Sequence, residues 1–480
     1  MNIRYVISII GKILFIEALL MLLPFLVAVI YDEETVLAYA ASIAILLLVG
    51  GVSFMFPPKS KLIRAREGLV VAGLSWIVVS LFGALPLWFS GDIASYLDAV
   101  FEIVSGFTTT GASILNDVEA LSYSGLFWRS FSHWVGGMGV LVFALAILPS
   151  TDTQSMHLMR AEVPGLSVGK LAAKMRWSAS ILYSIYMVMT VILFFFLAFG
   201  GMPVFDALVN AFGTAGTGGF AVKSASIAGY ESAYVEIVIT VFMLLFSLNF
   251  NIYFLLLAGS IKDLFKSEEL HWFLGIVGAS ILAIAINIYP IYKNVGDVLR
   301  LSAFQVSSII STSGFATADY DLWPAFSRTI LVILMFFGAC CGSTGGGIKI
   351  ARVIIICKTA AARIKKQLFP RAVVPTKFEG KLLDSDIESG IAAYMSAYLI
   401  ILIFSVLALS LDKFSLTTNF TAVAACLNNI GPGLEAVGPA QNFAPLSPLS
   451  KIVLIFDMLA GRLELFPILI LFYPRTWKKN

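Results

Sequence analysis

Apolar residues run along this chain in blocks of bilayer length, near 6–30, 37–56, 69–90, 125–148, 178–199, 232–260, 270–292, 328–360, 390–411 and 449–473, with polar residues gathered between them. A helix rising about 1.5 Å per residue needs roughly 20 residues to cross a hydrocarbon core of about 30 Å, so the pattern predicts ten membrane spans. Shorter apolar stretches alternate with the later spans. The first, Asp98 to Phe107, would form a helix of about 15 Å, reaching only halfway across. It ends in a hydroxyl-rich loop, Phe107-Thr108-Thr109-Thr110-Gly111-Ala112-Ser113, flanked on both sides by apolar segments. Irregular backbone survives at membrane depth only where it is buried in protein or lines a watery cavity, because lipid satisfies none of its N–H and C=O groups. The loop therefore predicts a polar path.

Three further stretches end alike, in Gly216-Thr217-Gly218-Gly219-Phe220, Ser311-Thr312-Ser313-Gly314-Phe315 and Asn428-Asn429-Ile430-Gly431-Pro432-Gly433. Gly111, Gly219, Gly314 and Gly431 stand 108, 95 and 117 residues apart, roughly one period with varying loops. Thirteen positions before them are Asp98, Asp206, Leu301 and Thr418, three of which suit a helix N-cap. Six before them are the small residues Ser105, Gly213, Ser308 and Ala425. Ordinary external loops with Gly and Ser turns are the alternative, but four copies of span, half-helix, loop and span describe the pattern more economically. The expected fold is an all-α polytopic membrane protein with four span/pore-helix/span repeats around a pseudo-fourfold pore, preceded by two extra N-terminal spans. Its divisions are 1–66 for the N-terminal pair, then 67–150, 151–262, 263–381 with a broken helix, and 382–480.

Composition agrees with the pattern. Of 480 residues, 59% are hydrophobic and 13% charged, and a mean hydropathy of +0.92 excludes an ordinary soluble globule. Basic residues collect in alternate connections: Lys59, Lys61, Arg64 and Arg66; Arg160, Lys170, Lys174 and Arg176; Lys262 and Lys266; Lys358 through Lys381; and Arg475, Lys478 and Lys479. The positive-inside rule puts these in the cytoplasm with both termini. The basic face of Lys358, Arg363, Lys365 and Lys366 suits anionic lipid. Cys340, Cys341, Cys357 and Cys426 form neither a disulfide nor a zinc pattern, and nothing points to nucleic acid. His133 with Trp134 reads as packing near the outer end of the fourth span, while His157 and His271 read as solvated.

Four half-helices aiming their partially negative C-terminal ends and loop carbonyls at one axis suit a cation. A divalent site would carry carboxylates, and none of the four loops has one. Rings of neutral oxygens suit a weakly hydrated monovalent ion such as K+, with the hydroxyls of Thr109, Thr110, Thr217, Thr312 and Ser313 adding ligands or bracing the loops. A secondary transporter for an organic solute is the alternative, although such folds usually carry two repeats around a midplane site. An enzyme would need a nucleophile and base, or a metal cluster, within the spans, and no such set converges there.

The eighth span is interrupted by Gly338-Ala339-Cys340-Cys341-Gly342-Ser343-Thr344-Gly345-Gly346-Gly347. Glycine costs about 1 kcal/mol each inside a helix, so the helix should break here, giving either a mobile gate or close glycine packing. A phosphate-binding loop is excluded because Lys349 does not follow the second glycine directly and no Ser or Thr follows it. Arg462, twelve residues into the last span, needs water or a partner. Glu464, two positions on, cannot share its helix face, so a partner must come from another helix or from the glycine-rich loop.

These four loops, together with Ser132-His133-Trp134-Val135-Gly136-Gly137-Met138-Gly139, Gly345-Gly346-Gly347-Ile348-Lys349 and Gly461-Arg462-Leu463-Glu464, resemble the TrkH-type members of the Trk/Ktr/HKT potassium transporter superfamily over nearly the whole chain. The resemblance implies potassium uptake across the bacterial inner membrane by a homodimer with one pore per subunit. It also implies an attached ring of cytosolic nucleotide-binding regulatory subunits of TrkA type. The K+ ligands would come from Thr109, Thr110 and Gly111, from Thr217, Gly218 and Gly219, from Thr312, Ser313 and Gly314, and from Asn429, Ile430 and Gly431. The gate would comprise Gly342, Gly345, Gly346, Gly347 and Lys349 of the loop, with Arg462 facing the path below the filter.

Overall fold

The structure is a computed structural model that describes residues 2–53, 55–56, 65–139, 175–257, 259 and 266–478. The basic residues Lys59, Lys61, Arg64, Arg160, Lys170, Lys174, Lys262 and Lys479 lie outside the described residues. So do His157, the inner part of the fourth span, and the boundaries drawn at 150/151 and 262/263.

The chain opens with α1 (Ile3–Ile30) and α2 (Val36–Ser53), which pack on each other, and α1 leans on α3 (Ala65–Gly83). The turn of helix α4 (Leu85–Phe89) leads to the short helix α5 (Tyr96–Phe107), and α6 (Tyr123–Gly137) follows the first loop. The second segment runs α7 (Met175–Phe199), α8 (Val204–Ala215), α9 (Ala233–Ser247) and α10 (Phe250–Leu257). The third runs α11 (Glu268–Tyr292), α12 (Val295–Ile310), α13 (Ala325–Met335) and α14 (Ile350–Leu368). A two-stranded hairpin, β1 (Lys377–Phe378) and β2 (Lys381–Leu382), precedes α15 (Ser385–Leu409), α16 (Leu416–Leu427), α17 (Pro448–Arg462) and α18 (Phe466–Phe472). Among the described residues, six helices are long and apolar enough to cross a membrane, or seven if the bent pair α9 and α10 counts as one span.

Burial is inverted relative to a soluble protein. Large apolar side chains such as Phe195, Phe196, Ile286 and Phe404 stand exposed on α7, α11 and α15, as a lipid-facing rim requires, whereas the Ser, Thr and Asn side chains of the four loops are buried, apart from the half-buried Ser113. Each short helix packs against a helix from a neighbouring stretch of the ring: α8 on α6, α12 on α9, α16 on α13, and α5 on α17. Ion pairs reinforce two of these contacts. Glu236 of α9 holds Arg300 of α12 at 3.2 Å, and Lys451 of α17 holds Asp98 of α5 at 2.7 Å.

Two expectations need correction. The N-caps of the short helices are Ser95, Pro203, Asn294 and Ser415, and Asp98, Asp206 and Thr418 occupy the third helical position instead. An acid there still complements the helix dipole, which is why these positions looked like caps. Breaks also extend beyond the eighth span. Helix α6 ends at Gly137, α9 and α10 meet at 89°, and the last span breaks between Arg462 and Phe466, where Glu464 and Leu465 take φ of 55° and 67°.

Candidate functional site

The four short helices end in one and the same way. The N–H groups of Thr110, Gly218, Ser313 and Ile430 donate to the carbonyls of Ser105, Gly213, Ser308 and Ala425, each at 2.9 Å. This is a Schellman cap, and its left-handed residue is Thr109, Thr217, Thr312 or Asn429, at φ of 54°, 54°, 61° and 56°. Glycine usually occupies that place, because an L-residue there costs roughly 1–2 kcal/mol. The small residues noticed six positions before each glycine are the acceptors of the capping bond.

Two residues after each left-handed residue, Gly111, Gly219, Gly314 and Gly431 again take positive φ, between 77° and 98°. Of the two glycines available in the second loop, Gly219 is thus the one in register. A Cβ on Gly111 would overlap the carbonyl oxygen of Gly218, one on Gly219 that of Ser313, and one on Gly314 that of Ile430. On Gly431 it would stand 2.8 Å from the oxygen of Thr110. Each glycine therefore abuts the carbonyl that precedes the glycine of the next loop, and the fourth loop returns to the first. The ring is closed, and no side chain fits at its four contact points. A cavity of about 200 Å³ touches all four glycines, with Asn116, Lys223 and Asn442 on its wall.

Side chains behind the ring hold it. Glu102 accepts hydrogen bonds from the Ser113 hydroxyl and the Ile114 N–H, both at 3.0 Å, and forms a buried ion pair with Arg129. The Arg129 guanidinium lies 3.6 Å over the Phe220 ring and donates to the Ala221 carbonyl at 3.3 Å, so it ties the first loop to the second. The sequence reading missed Arg129, although it is the lone charge in the fourth apolar run. His133 sits in the second half of α6, with Nδ1 2.7 Å from the Gly106 carbonyl and its ring 4.1 Å from that of Phe220. Of the hydroxyls considered as ligands, Thr110 bonds with Thr108 at 2.8 Å and with the Asn429 amide at 3.0 Å, and Ser313 accepts from Ser311 at 2.8 Å. These two brace the loops.

Residues 336–349 separate α13 from α14 and pack beside the break between α9 and α10. The Cys340 N–H donates to the Ser247 carbonyl and the Phe250 N–H to that of Gly342, each at 3.1 Å, while the Thr344 hydroxyl reaches the Phe246 carbonyl at 3.2 Å. The break in the sixth span and the glycine-rich loop thus satisfy each other's backbone groups, as burial demands. Ser247-Leu248-Asn249-Phe250-Asn251, polar at every second position within an apolar run, was the available signal.

The glycine-rich loop touches three of the four loops of the ring. The Gly346 N–H donates to Thr312 Oγ1 at 2.7 Å, and the Thr217 and Thr344 hydroxyls meet at 3.4 Å. A Cβ on Gly346 would stand 2.8 Å from the Asn428 oxygen. Within the loop, Lys349 Nζ donates to the Gly345 carbonyl. Arg462 donates to the Thr344 carbonyl at 2.7 Å and to the carbonyls of Gly136 and Gly137 at 2.5 and 2.9 Å. Its partners are the loop and the C-terminus of α6, where a cation is favoured. Glu464 pairs with Arg352 of α14 instead.

The TrkH family, described as cation transport protein, matches residues 37–275 and 290–479. The chain is 36% identical to the Trk system potassium uptake protein TrkH of Salmonella typhimurium and 35% identical to that of Escherichia coli K12, covering all of each protein. The crystal structure of the potassium transporter TrkH from Vibrio parahaemolyticus superposes with a TM-score of 0.90 at 32% identity, again over the whole of both chains. The chain belongs to the TrkH family of cation transport proteins.

Proposed function

We propose that this chain takes up potassium ions across the bacterial inner membrane, with both termini in the cytoplasm, and that the glycine and carbonyl ring is its selectivity filter. The observation that carries this reading is the closure of the ring. Four neutral loops meet in cyclic order, so their peptide oxygens can replace the hydration shell of a monovalent ion, while the C-terminal ends of four short helices add negative potential. The K+ ligands are drawn from Thr109 to Gly111, Thr217 to Gly219, Thr312 to Gly314 and Asn429 to Gly431. The names of the relatives, potassium uptake proteins, agree with this substrate.

The glycine-rich loop is the gate in this reading. It lies against the filter loops, and Arg462 fastens it there while setting a positive charge in the path of a cation. The working assembly is a homodimer, and a cytosolic nucleotide-binding subunit of TrkA type docks on the basic face of α14. Reconstitution into liposomes with Rb+ uptake measured against Na+ tests the core claim. Rb+ should enter in strong preference. Equal entry of both ions, or uptake of an organic solute without Rb+, would sink it.

A further inference from the structure

The cavity that touches all four glycines is lined by residues that follow them in each loop and by none of the glycine-rich loop, so it approaches the ring from the other side. A mouth that gathers cations is usually neutral or acidic. Among the described residues, however, this wall carries two cations, Arg129 and Lys223, and no carboxylate. Arg129 is neutralised by Glu102 in their buried ion pair. Lys223 is not. Its Nζ donates to the Gly229 carbonyl at 2.6 Å and lies 4.5 Å from the centre of the Tyr230 ring, with no carboxylate paired to it among the described residues. Asp117 and Glu119 are exposed outside the cavity wall, where they accept from the hydroxyl and the N–H of Ser224, each at 3.1 Å. Asp206 accepts from the Tyr230 hydroxyl at 2.8 Å. The ammonium is also held in place. Lys223 is half-buried, and its stem packs on Gly229, where a Cβ would stand 2.7 Å from Lys223 Cδ.

The geometry points to Lys223 as a specificity-determining residue, a fixed ammonium at the mouth of the ring that turns away divalent cations more strongly than monovalent ones. The inference rests on the filter reading and adds to it a selection by charge ahead of the ring. A ring of carbonyl dipoles attracts a doubly charged ion of suitable radius more strongly than a singly charged one, so neutral oxygens alone leave the path open to block. A fixed positive charge supplies the opposing, repulsive element. Its repulsion energy is proportional to the charge of the arriving ion. Whatever factor the ammonium removes from the local concentration of a monovalent cation, it therefore removes squared from that of a divalent one.

The test is Rb+ uptake by the full chain in proteoliposomes over a range of external Rb+ concentrations, with and without external Ba2+. Lys223→Gln removes the charge. It should lower the half-saturating Rb+ concentration about threefold and the blocking Ba2+ concentration about tenfold. Lys223→Glu should move both values further in the same direction, and Lys223→Arg should restore both. The differences should shrink when N-methylglucamine chloride raises the ionic strength from about 0.01 M to about 0.1 M, because the screening length falls from about 30 Å to about 10 Å. Loosening of the loop through loss of the Gly229 bond would be blind to ion charge and to salt. Lys223→Met keeps an apolar stem against Gly229 and carries the same expectation if Lys223→Gln fails to fold. Unchanged Rb+ half-saturation and Ba2+ block in a folded neutral variant would overturn the assignment, and so would equal shifts for the two ions. Loss of Rb+ preference over Na+ in the unaltered protein would strike the filter reading instead.

Discussion

The two sides of the ring are built by opposite rules. On the side of the four glycines one motif recurs four times, with the same capping bond, two positive φ values at the same offsets and the same kind of glycine contact. On the side of the glycine-rich loop the parts are single: one loop from the third segment, one arginine from the fourth and one helix end from the first. An ion stripped of water needs oxygens on every side at once, which symmetry supplies. Under the function proposed above, a gate needs one element able to move while its neighbours stay, and a single loop bonded to several segments would answer that need.

The contrast fails if the glycines of the ring tolerate side chains. Gly219→Ala and Gly314→Ala would push a methyl group into a neighbouring carbonyl at positive φ, and are expected to reduce Rb+ uptake by roughly a hundredfold or more. Gly431→Ala, with 2.8 Å available, is expected to be milder, so uptake assays on the three variants rank the contacts. On the other side the sign reverses. Arg462→Ala, or deletion of Gly345 to Gly347, releases the loop and is expected to raise flux about tenfold, since hydrogen bonds from a charged group are worth about 1.5–3 kcal/mol each. An unchanged or lower flux in folded protein would remove the gate.

Two smaller effects separate bracing from conduction. Glu102→Gln leaves the Arg129 charge buried without its counterion, a loss of about 3–5 kcal/mol that thermal unfolding in detergent should register. Glu435, outside the ring, accepts from the hydroxyl of Ser415, the cap of α16, and that bond holds its carboxyl below the usual glutamate range against the opposing effect of partial burial. A depressed value stabilises the fold above the ordinary glutamate pKa, and this is lost as pH falls through the lowered one. Glu435→Gln is therefore expected to lower the melting midpoint by only about 1–2 °C at neutral pH, with the difference closing in acid.

How much of this was legible in the sequence follows the same division. The geometry of the ring could be read because its signals are local and recur: glycine, small residues and short apolar helices at fixed offsets from Gly111, Gly219, Gly314 and Gly431. The caps were misplaced by three residues because Asp98, Asp206 and Thr418 satisfy the chemistry of the first helical turn as well as that of the cap. The break at Asn249 left only the alternating polar residues around it as a signal, and Arg462 announced that it needed a partner but not which carbonyls supply it. Each partner lies about a hundred residues away or more, and a satisfied backbone carbonyl does not reveal in the sequence which group it will meet. Arg129 was missed for a related reason, since its carboxylate lies in another helix.

The Lys451 and Asp98 pair marks a seam. Three of the four junctions of the ring join consecutive stretches of chain, but the junction of fourth to first is held only by side chains and by backbone contacts such as the Phe443 N–H on the Ser113 carbonyl at 2.8 Å. A ribosome making this protein delivers Asp98 some 350 residues before Lys451. Until the final span arrives, the nascent molecule is an open trough whose lining has no fourth wall, so polypeptides truncated before residue 448 should be cleared by proteases rather than left as leaks.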